Sequence, residues 1–329
     1  MGTKGTAVSG HRCAERVDMS IAVLAGGCSH EREVSLASGR NAAVALRKAG
    51  FGTVDLMDPA DPAVLTGLAD RRPDAVFLAL HGKGGEDGTI QGALEFLNLP
   101  YTGSNPMASA CAVDKDLAKI LYARAGVPTA PGVPFMEGDP IDADAVVCEL
   151  GHELFVKPAI NGSSYGVRLV KDPHELAGAV AYAHGFGDKV LVEQRVVGTE
   201  VTVGVLGDGK TLRALPVVEI RTPEHCEFYD LDVKYVDPTD IHRIPARLDE
   251  ATYAQVQELA VRAHRSIGCF GFSRSDFIVS DHGPVILETN TIPGMTPTSL
   301  FPDEVRHAGL SFAEVCAELV DLAIERAQR

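Results

Sequence analysis

The chain has 329 residues, 45% hydrophobic and 23% charged, with a formal net charge of −15. That length supplies two or three compact lobes rather than a single core. So acidic a surface repels phosphate backbones, which argues against a nucleic-acid or anionic-membrane partner, while a few local lysines still suffice for a small anionic ligand.

No apolar run reaches the ~20 residues that span a bilayer. The first eighteen residues lack the apolar stretch of a signal peptide and read as a disordered leader. Seven cysteines (Cys13, Cys28, Cys111, Cys148, Cys226, Cys269 and Cys316) are scattered, odd in number and free of CxxC spacing. They point to a reducing, cytoplasmic compartment and to buried thiols used as small apolar fillers.

Along the chain, Ile21–Leu24 is an apolar strand closed by Gly26-Gly27, and a helix runs from about Glu31 to Lys48 until Gly50 stops it. Thr53–Met57 is a short strand. Ala75–Leu80 is a continuous apolar run, as in a strand buried on both faces, and it empties into the glycine-rich loop His81–Gly88 before a helix at Ile90–Leu97. This is the pattern of an open α/β sheet, whose ligands bind at the carboxyl ends of its strands, where Glu31 and His81 fall. A second lobe over 105–197 has helices at Asp114–Arg124, Asp142–Leu150 and Pro173–His184, and strands at Glu153–Lys157, Val167–Val170 and Lys189–Val196. A third, 198–329, holds strands Glu200–Leu206 and Leu212–Ile220, a helix Asp249–Ser266, a hairpin Phe272–Val279 with Pro284–Glu288, and a final helix Ser311–Ala327. The long polar segment 221–243 has the character of a functional lid.

Three glycine-rich stretches bear on phosphate binding. Gly26-Gly27 lacks the dinucleotide fingerprint, and Gly82-Lys83-Gly84-Gly85 lacks the Walker ending. Asn161-Gly162-Ser163-Ser164-Tyr165-Gly166, just after Lys157, reads either as a plain surface hairpin or as a loop whose N–H groups close over phosphate oxygens. Strand alternation puts Arg274 and Asp276 on one face, and likewise Glu288 and Asn290. That face is either the wet side of a sheet or a hard-cation site with three oxygen ligands.

Taken in order, these stretches resemble the ATP-grasp superfamily, and within it the D-alanine–D-alanine ligase family. The resemblance runs from Ile21 to the last helix. It is carried by Gly26-Gly27-Cys28-Ser29-His30-Glu31, His81-Gly82-Lys83-Gly84-Gly85-Glu86-Asp87-Gly88, Val156-Lys157-Pro158, Phe228-Tyr229-Asp230, Lys234-Tyr235, Arg274-Ser275-Asp276 and Glu288-Thr289-Asn290-Thr291-Ile292-Pro293-Gly294. It implies a three-lobed ATP-grasp fold with an N-terminal open, mostly parallel α/β sheet, and a cytoplasmic homodimer that joins two D-alanines through a D-alanyl phosphate.

The resemblance also implies roles. Lys115 and Lys157 would hold ATP phosphates, and Ser164 and Lys234 would also bind ATP. Glu193, Gln194 and Val196 would meet adenine and Glu200 the ribose, with Phe228 and Leu287 sandwiching the base. Asp276, Glu288 and Asn290 would carry two Mg²⁺, for which Mn²⁺ can substitute. Glu31 would bind the first D-alanine's ammonium, with His81 beside the reacting carboxylates. Arg274 and the Gly294 N–H would cradle the oxyanion, and Ser299 and Leu300 would take the second D-alanine's carboxylate. Tyr235 would meet Glu31 and Ser163 on closure. The base that deprotonates the second amine stays open among Tyr235, Ser163 and His81. A different second substrate (D-serine or D-lactate) and a catalytically silent ATP-binding homologue are the alternatives. Ser275 and Arg195 stand where relatives usually carry apolar residues.

Overall fold

The computed structural model describes residues 16–162, 165–221 and 241–329. Ser163, Ser164, Phe228, Lys234, Tyr235 and most of the expected lid lie outside the described residues.

The strands β1 (Ser20–Leu24), β2 (Thr53–Met57) and β3 (Ala75–Leu78) form a parallel sheet in the order β2-β1-β3. All four residues of β3 are buried, as its unbroken apolar run requires. Parallel neighbours need crossovers. α1 (Arg32–Lys48) provides the first and α2 (Ala63–Arg71) the second. The sequence reading passed over α2 because only Val64 and Leu68 of it are buried, too few to set up a period. α3 (Thr89–Phe96) follows the loop after β3.

Next come α4 (Pro106–Val113) and α5 (Lys115–Arg124), then the antiparallel sheet β4 (Gly132–Met136), β7 (Lys189–Gln194), β5 (Leu154–Pro158) and β6 (Arg168–Val170), in the order β4-β7-β5-β6. β4, another unforeseen element, is an edge strand that carries Pro134 and buries only Phe135. The helices α6 (Ala143–Leu150) and α7 (Leu176–His184) cover this sheet through Val146, Leu150, Leu176 and Val180.

The third sheet runs β11 (His242–Arg243), β10 (Val218–Ile220), β8 (Thr199–Gly207), β12 (Gly271–Ser280), β13 (Gly283–Asn290), with β9 (Leu212–Ala214) also on β8. The expected single strand Leu212–Ile220 is therefore broken. Ala214 pairs with Val205 but Val218 with Thr202, so one extra residue bulges out around Pro216, which has no N–H for the ladder. α8 (Glu250–Ile267) packs on this sheet, capped by Asp249. α9 (Leu300–His307) and α10 (Phe312–Ala327) complete the chain, the latter entered by a Ser311/Glu314 capping box.

The cores do not follow chain order. Val315, Leu319 and Val320 of α10 share a core with Ile21 and Phe77 of the first sheet and Leu46 of α1. Tyr122 of α5, expected in the second lobe, packs with Val203, Leu259 and Phe277 of the third. Arg16 to Asp18, expected to be a disordered leader, are held: Arg16 pairs with Asp321 at 2.6 Å and its carbonyl accepts from Gly52 N. The expectation of buried thiols fails at Cys28 and Cys148, which are exposed on a loop and on the outer face of α6; Cys269 and Cys316 are buried. Among the described residues no helix is long and apolar enough to cross a membrane.

Candidate active site

A cleft of about 1050 Å³ lies between the three sheets. Its first wall is the carboxyl end of the parallel sheet. Glu31 is the residue before α1, and its carboxylate is wedged between lobes: a Cβ on Gly82 would come within 2.8 Å of Oε2, and one on Gly162 within 2.9 Å. Gly82 also has a φ of +69°, so both space and backbone demand glycine there.

His81 is buried, with Nε2 3.0 Å from Ser38 Oγ, which in turn accepts from Met295 N at 3.1 Å. Burial pushes the His81 pKa down to about 4, with the nearby Arg274 charge adding to it, so the ring is neutral at neutral pH. Glu86 accepts from Gly82 N at 2.7 Å. Its burial, together with the Glu31 charge, pushes it up to about 8, so it holds its proton where other glutamates have lost theirs.

The cationic wall starts at Lys115, the first residue of α5. Asp114 caps that helix by accepting from the N–H groups of Asp116 and Leu117, and Lys189 holds Asp114 at 2.7 Å. Lys115 Nζ reaches Glu288 Oε2 at 3.0 Å and the Asn161 carbonyl at 2.8 Å. Lys157 and Lys119 both grip Glu193. Burial alone would raise the Glu193 pKa, but the two ammonium groups outweigh it and hold the carboxylate below its usual range. Gln194, Val196 and Glu200 line the same side. Arg195 turns to Glu153 at 2.9 Å, which gives its charge a partner.

The third wall is the β12–β13 pair. Arg274 faces Asn290 and Asp276 faces Glu288 on alternate rungs, with Ser275 and Thr289 paired between them, so all four side chains share one face. A bulge follows, because Phe277 pairs with Ile286 and leaves Leu287 extra. In a regular strand Leu287 would turn away from the cleft. With the bulge, Ile286 enters the core and Leu287 lines the cleft. Asp276 accepts from Arg274 Nε (3.1 Å) and Nη2 (3.0 Å), Asn290 Nδ2 (3.1 Å) and Thr202 Oγ1 (2.5 Å). Behind it, Tyr122 OH and Ser275 Oγ each lie 2.8 Å from Thr289 Oγ1, a buried hydroxyl network that accounts for a polar residue at 275. The floor is Gly294, Ser299 and Leu300; Ser299 Oγ accepts from Thr296 N at 3.0 Å and opens α9.

Asp276, Glu288 and Asn290 are the group that can hold a divalent cation. They offer hard oxygen donors on one face of two adjacent strands, and both carboxylates already have cationic partners in Arg274 and Lys115. Every expected site residue within the described chain lines this one cleft. Sequence reasoning missed Glu86, Lys119 and His242. The first sits in the loop already singled out, the second is one helical turn past Lys115, and the third lay inside a segment read only as a lid.

Family models for the D-ala D-ala ligase N-terminus and C-terminus match residues 64–104 and 121–321. A D-alanine–D-alanine ligase of Syntrophobacter fumaroxidans is 44% identical over 93% of this chain and 98% of its own, and one of Halalkalibacterium halodurans is 42% identical over 94% and 100%. The chain belongs to the D-alanine–D-alanine ligase family. Two solved members of the family share its ATP-grasp fold. The Coxiella burnetii structure has a TM-score of 0.80 at 30% identity, covering 94% of this chain and 96% of that one. The Bacillus anthracis ligase, crystallised with ATP, gives 0.79 at 28% identity over 94% and 98%.

Proposed function

We propose that this chain joins two D-alanines into D-alanyl-D-alanine at the expense of ATP, giving ADP and phosphate and supplying a peptidoglycan precursor. The observation that carries the reading is the four-residue face Arg274, Asp276, Glu288 and Asn290, set across the cleft from Glu31 and His81.

Lys115 and Lys157 take the ATP phosphates, exchanging their present carboxylate partners for the nucleotide. Gln194 and Val196 meet the adenine edge, Glu200 the ribose, and Leu287 and Phe228 the faces of the base. Asp276, Glu288 and Asn290 would hold two Mg²⁺, or Mn²⁺, and the ions' charge would offset that of the phosphates. Glu31 pairs with the ammonium of the first D-alanine and turns its carboxylate toward the γ-phosphate. Attack there forms the acyl phosphate and releases ADP. The second D-alanine lies with its carboxylate on Ser299 and the first free N–H of α9, at Leu300. Its amine attacks the acyl carbon, and Arg274 with the Gly294 N–H stabilises the oxyanion, a donor set in which each member is worth ~3 kcal/mol of barrier. His81, neutral through burial, adds a hydrogen bond rather than a second charge. Ser163, Ser164, Lys234 and Tyr235 close the site against water, which would otherwise hydrolyse the acyl phosphate. The same family reading brings a cytoplasmic homodimer with it.

ADP release measured with D-alanine, D-serine, D-lactate and L-alanine tests this. D-alanine should give the highest kcat/KM, and Asp276→Ala and Glu288→Ala should each abolish turnover in a protein that still melts cooperatively. Preference for D-lactate at neutral pH, or undiminished turnover in both variants, overturns the reading.

A further inference from the structure

One titratable pair in the cleft is left unused by that mechanism. His242 lines from β11 the same cleft as Ser299, Leu300 and Arg274. It is held in place by its own strand and by a small apolar cluster in which Ile220 and Ile241 pack on Leu300. Its Nδ1 lies 2.8 Å from Asp303 Oδ2. Asp303 is on the first turn of α9, and its other oxygen is gripped by Arg306, one turn further on. A carboxylate bound to a guanidinium is ionised and only accepts, so the proton of the neutral ring sits on Nδ1 and Nε2 keeps its lone pair. This is the arrangement of a general base: an imidazole with one nitrogen without a hydrogen-bond partner among the described residues and the other fixed by an acid that is itself fixed.

We infer that His242, positioned by Asp303, is the base that deprotonates the attacking amine of the second amino acid. The inference rests on the proposed function, because it needs a second D-alanine anchored through its carboxylate at Ser299 and Leu300, adjacent to His242. Burial, then the Arg274 charge, hold the His242 pKa below its ordinary value. The ring is accordingly neutral and an acceptor at neutral pH. An acceptor beside a bound D-alanine has one donor to meet, the ammonium. A carboxylate-binding role would require the imidazolium instead.

The step balances as follows. Nε2 takes one proton from the ammonium and frees the nitrogen lone pair. The C–N bond forms at the acyl carbon and the carbonyl electrons move onto oxygen. When that oxyanion collapses, the C–O bond to phosphate breaks, and a second N–H proton leaves on the phosphate. The imidazolium returns its proton to solvent as dipeptide departs.

The test separates the two halves of the reaction in the full chain. Hydroxylamine is unprotonated at neutral pH and traps an acyl phosphate as a hydroxamate without needing a base. With ATP, magnesium and saturating D-alanine, His242→Gln and His242→Asn should lower the dipeptide rate by ~10²-fold or more while D-alanyl hydroxamate formation stays within about twofold of the parent. Asp303→Asn should lower dipeptide formation to a lesser degree, again sparing hydroxamate. Parallel loss of both products would place His242 in phosphoryl transfer or in folding and overturn the inference. So would unchanged dipeptide formation, or a rise in KM for the second D-alanine at unchanged kcat. A parent enzyme that forms neither product would instead refute the proposed function.

Discussion

His264, on α8, is fully buried, with Nδ1 2.7 Å from Ser273 Oγ and no hydrogen-bond partner for Nε2 among the described residues. Burial, helped by Arg265, pushes its pKa from 6.5 down to about 4. Between those values the unfolded chain binds a proton that the folded one refuses. Its contribution to stability is therefore complete above about pH 6.5 and is lost as pH falls toward 4. At 1.36 kcal/mol per unit, the loss across the window is about 3 kcal/mol. His81 behaves the same way, whereas Glu86, raised to about 8, contributes in the opposite direction over an overlapping range. The contribution of His264 is isolated by difference. Urea unfolding of the parent and of His264→Met at intervals from pH 4.5 to 7 should give two stability curves, the variant's being shallower by up to ~1.4 kcal/mol per pH unit. Parallel curves would show that His264 titrates normally in the fold and that its burial does not hold it neutral.

Two further outcomes follow from the cleft and its backing. Gly82→Ala places a methyl 2.8 Å from Glu31 Oε2 on a backbone with a φ of +69°; displacing Glu31 should lower kcat/KM for D-alanine by on the order of 10²-fold, and a parent-like value would mean that Glu31 does not hold the substrate where proposed. Tyr122→Phe removes the hydroxyl that reaches Thr289 behind Glu288 and Asn290 and should cost about 1 kcal/mol in urea unfolding, with no loss expected only if that hydroxyl pair contributes nothing net.

Much of the site was legible because its chemistry is written locally. Two-residue alternation put Arg274 with Asp276 and Glu288 with Asn290, and the sheet then paired those residues rung for rung. What alternation could not supply was the bulge at Leu287, since an extra residue in one strand is visible only against its partner. β1, β2 and the last helix were readable from apolar runs and caps. α2, α4 and α9 were not, because short helices carry too few buried positions to establish a period. The His242–Asp303 pair was invisible for a different reason: 61 positions separate the two residues, and only the fold brings β11 to α9.

The packing of α10 against the first sheet reaches beyond the finished molecule. β1 and β3 are made well before Val315, Leu319 and Val320, which seal their core. During synthesis from the N-terminus, the parallel sheet beside Glu31 and His81 must wait, one apolar face open, until α10 has emerged. A nascent chain stalled before residue 312 would therefore expose a sticky sheet in need of a chaperone.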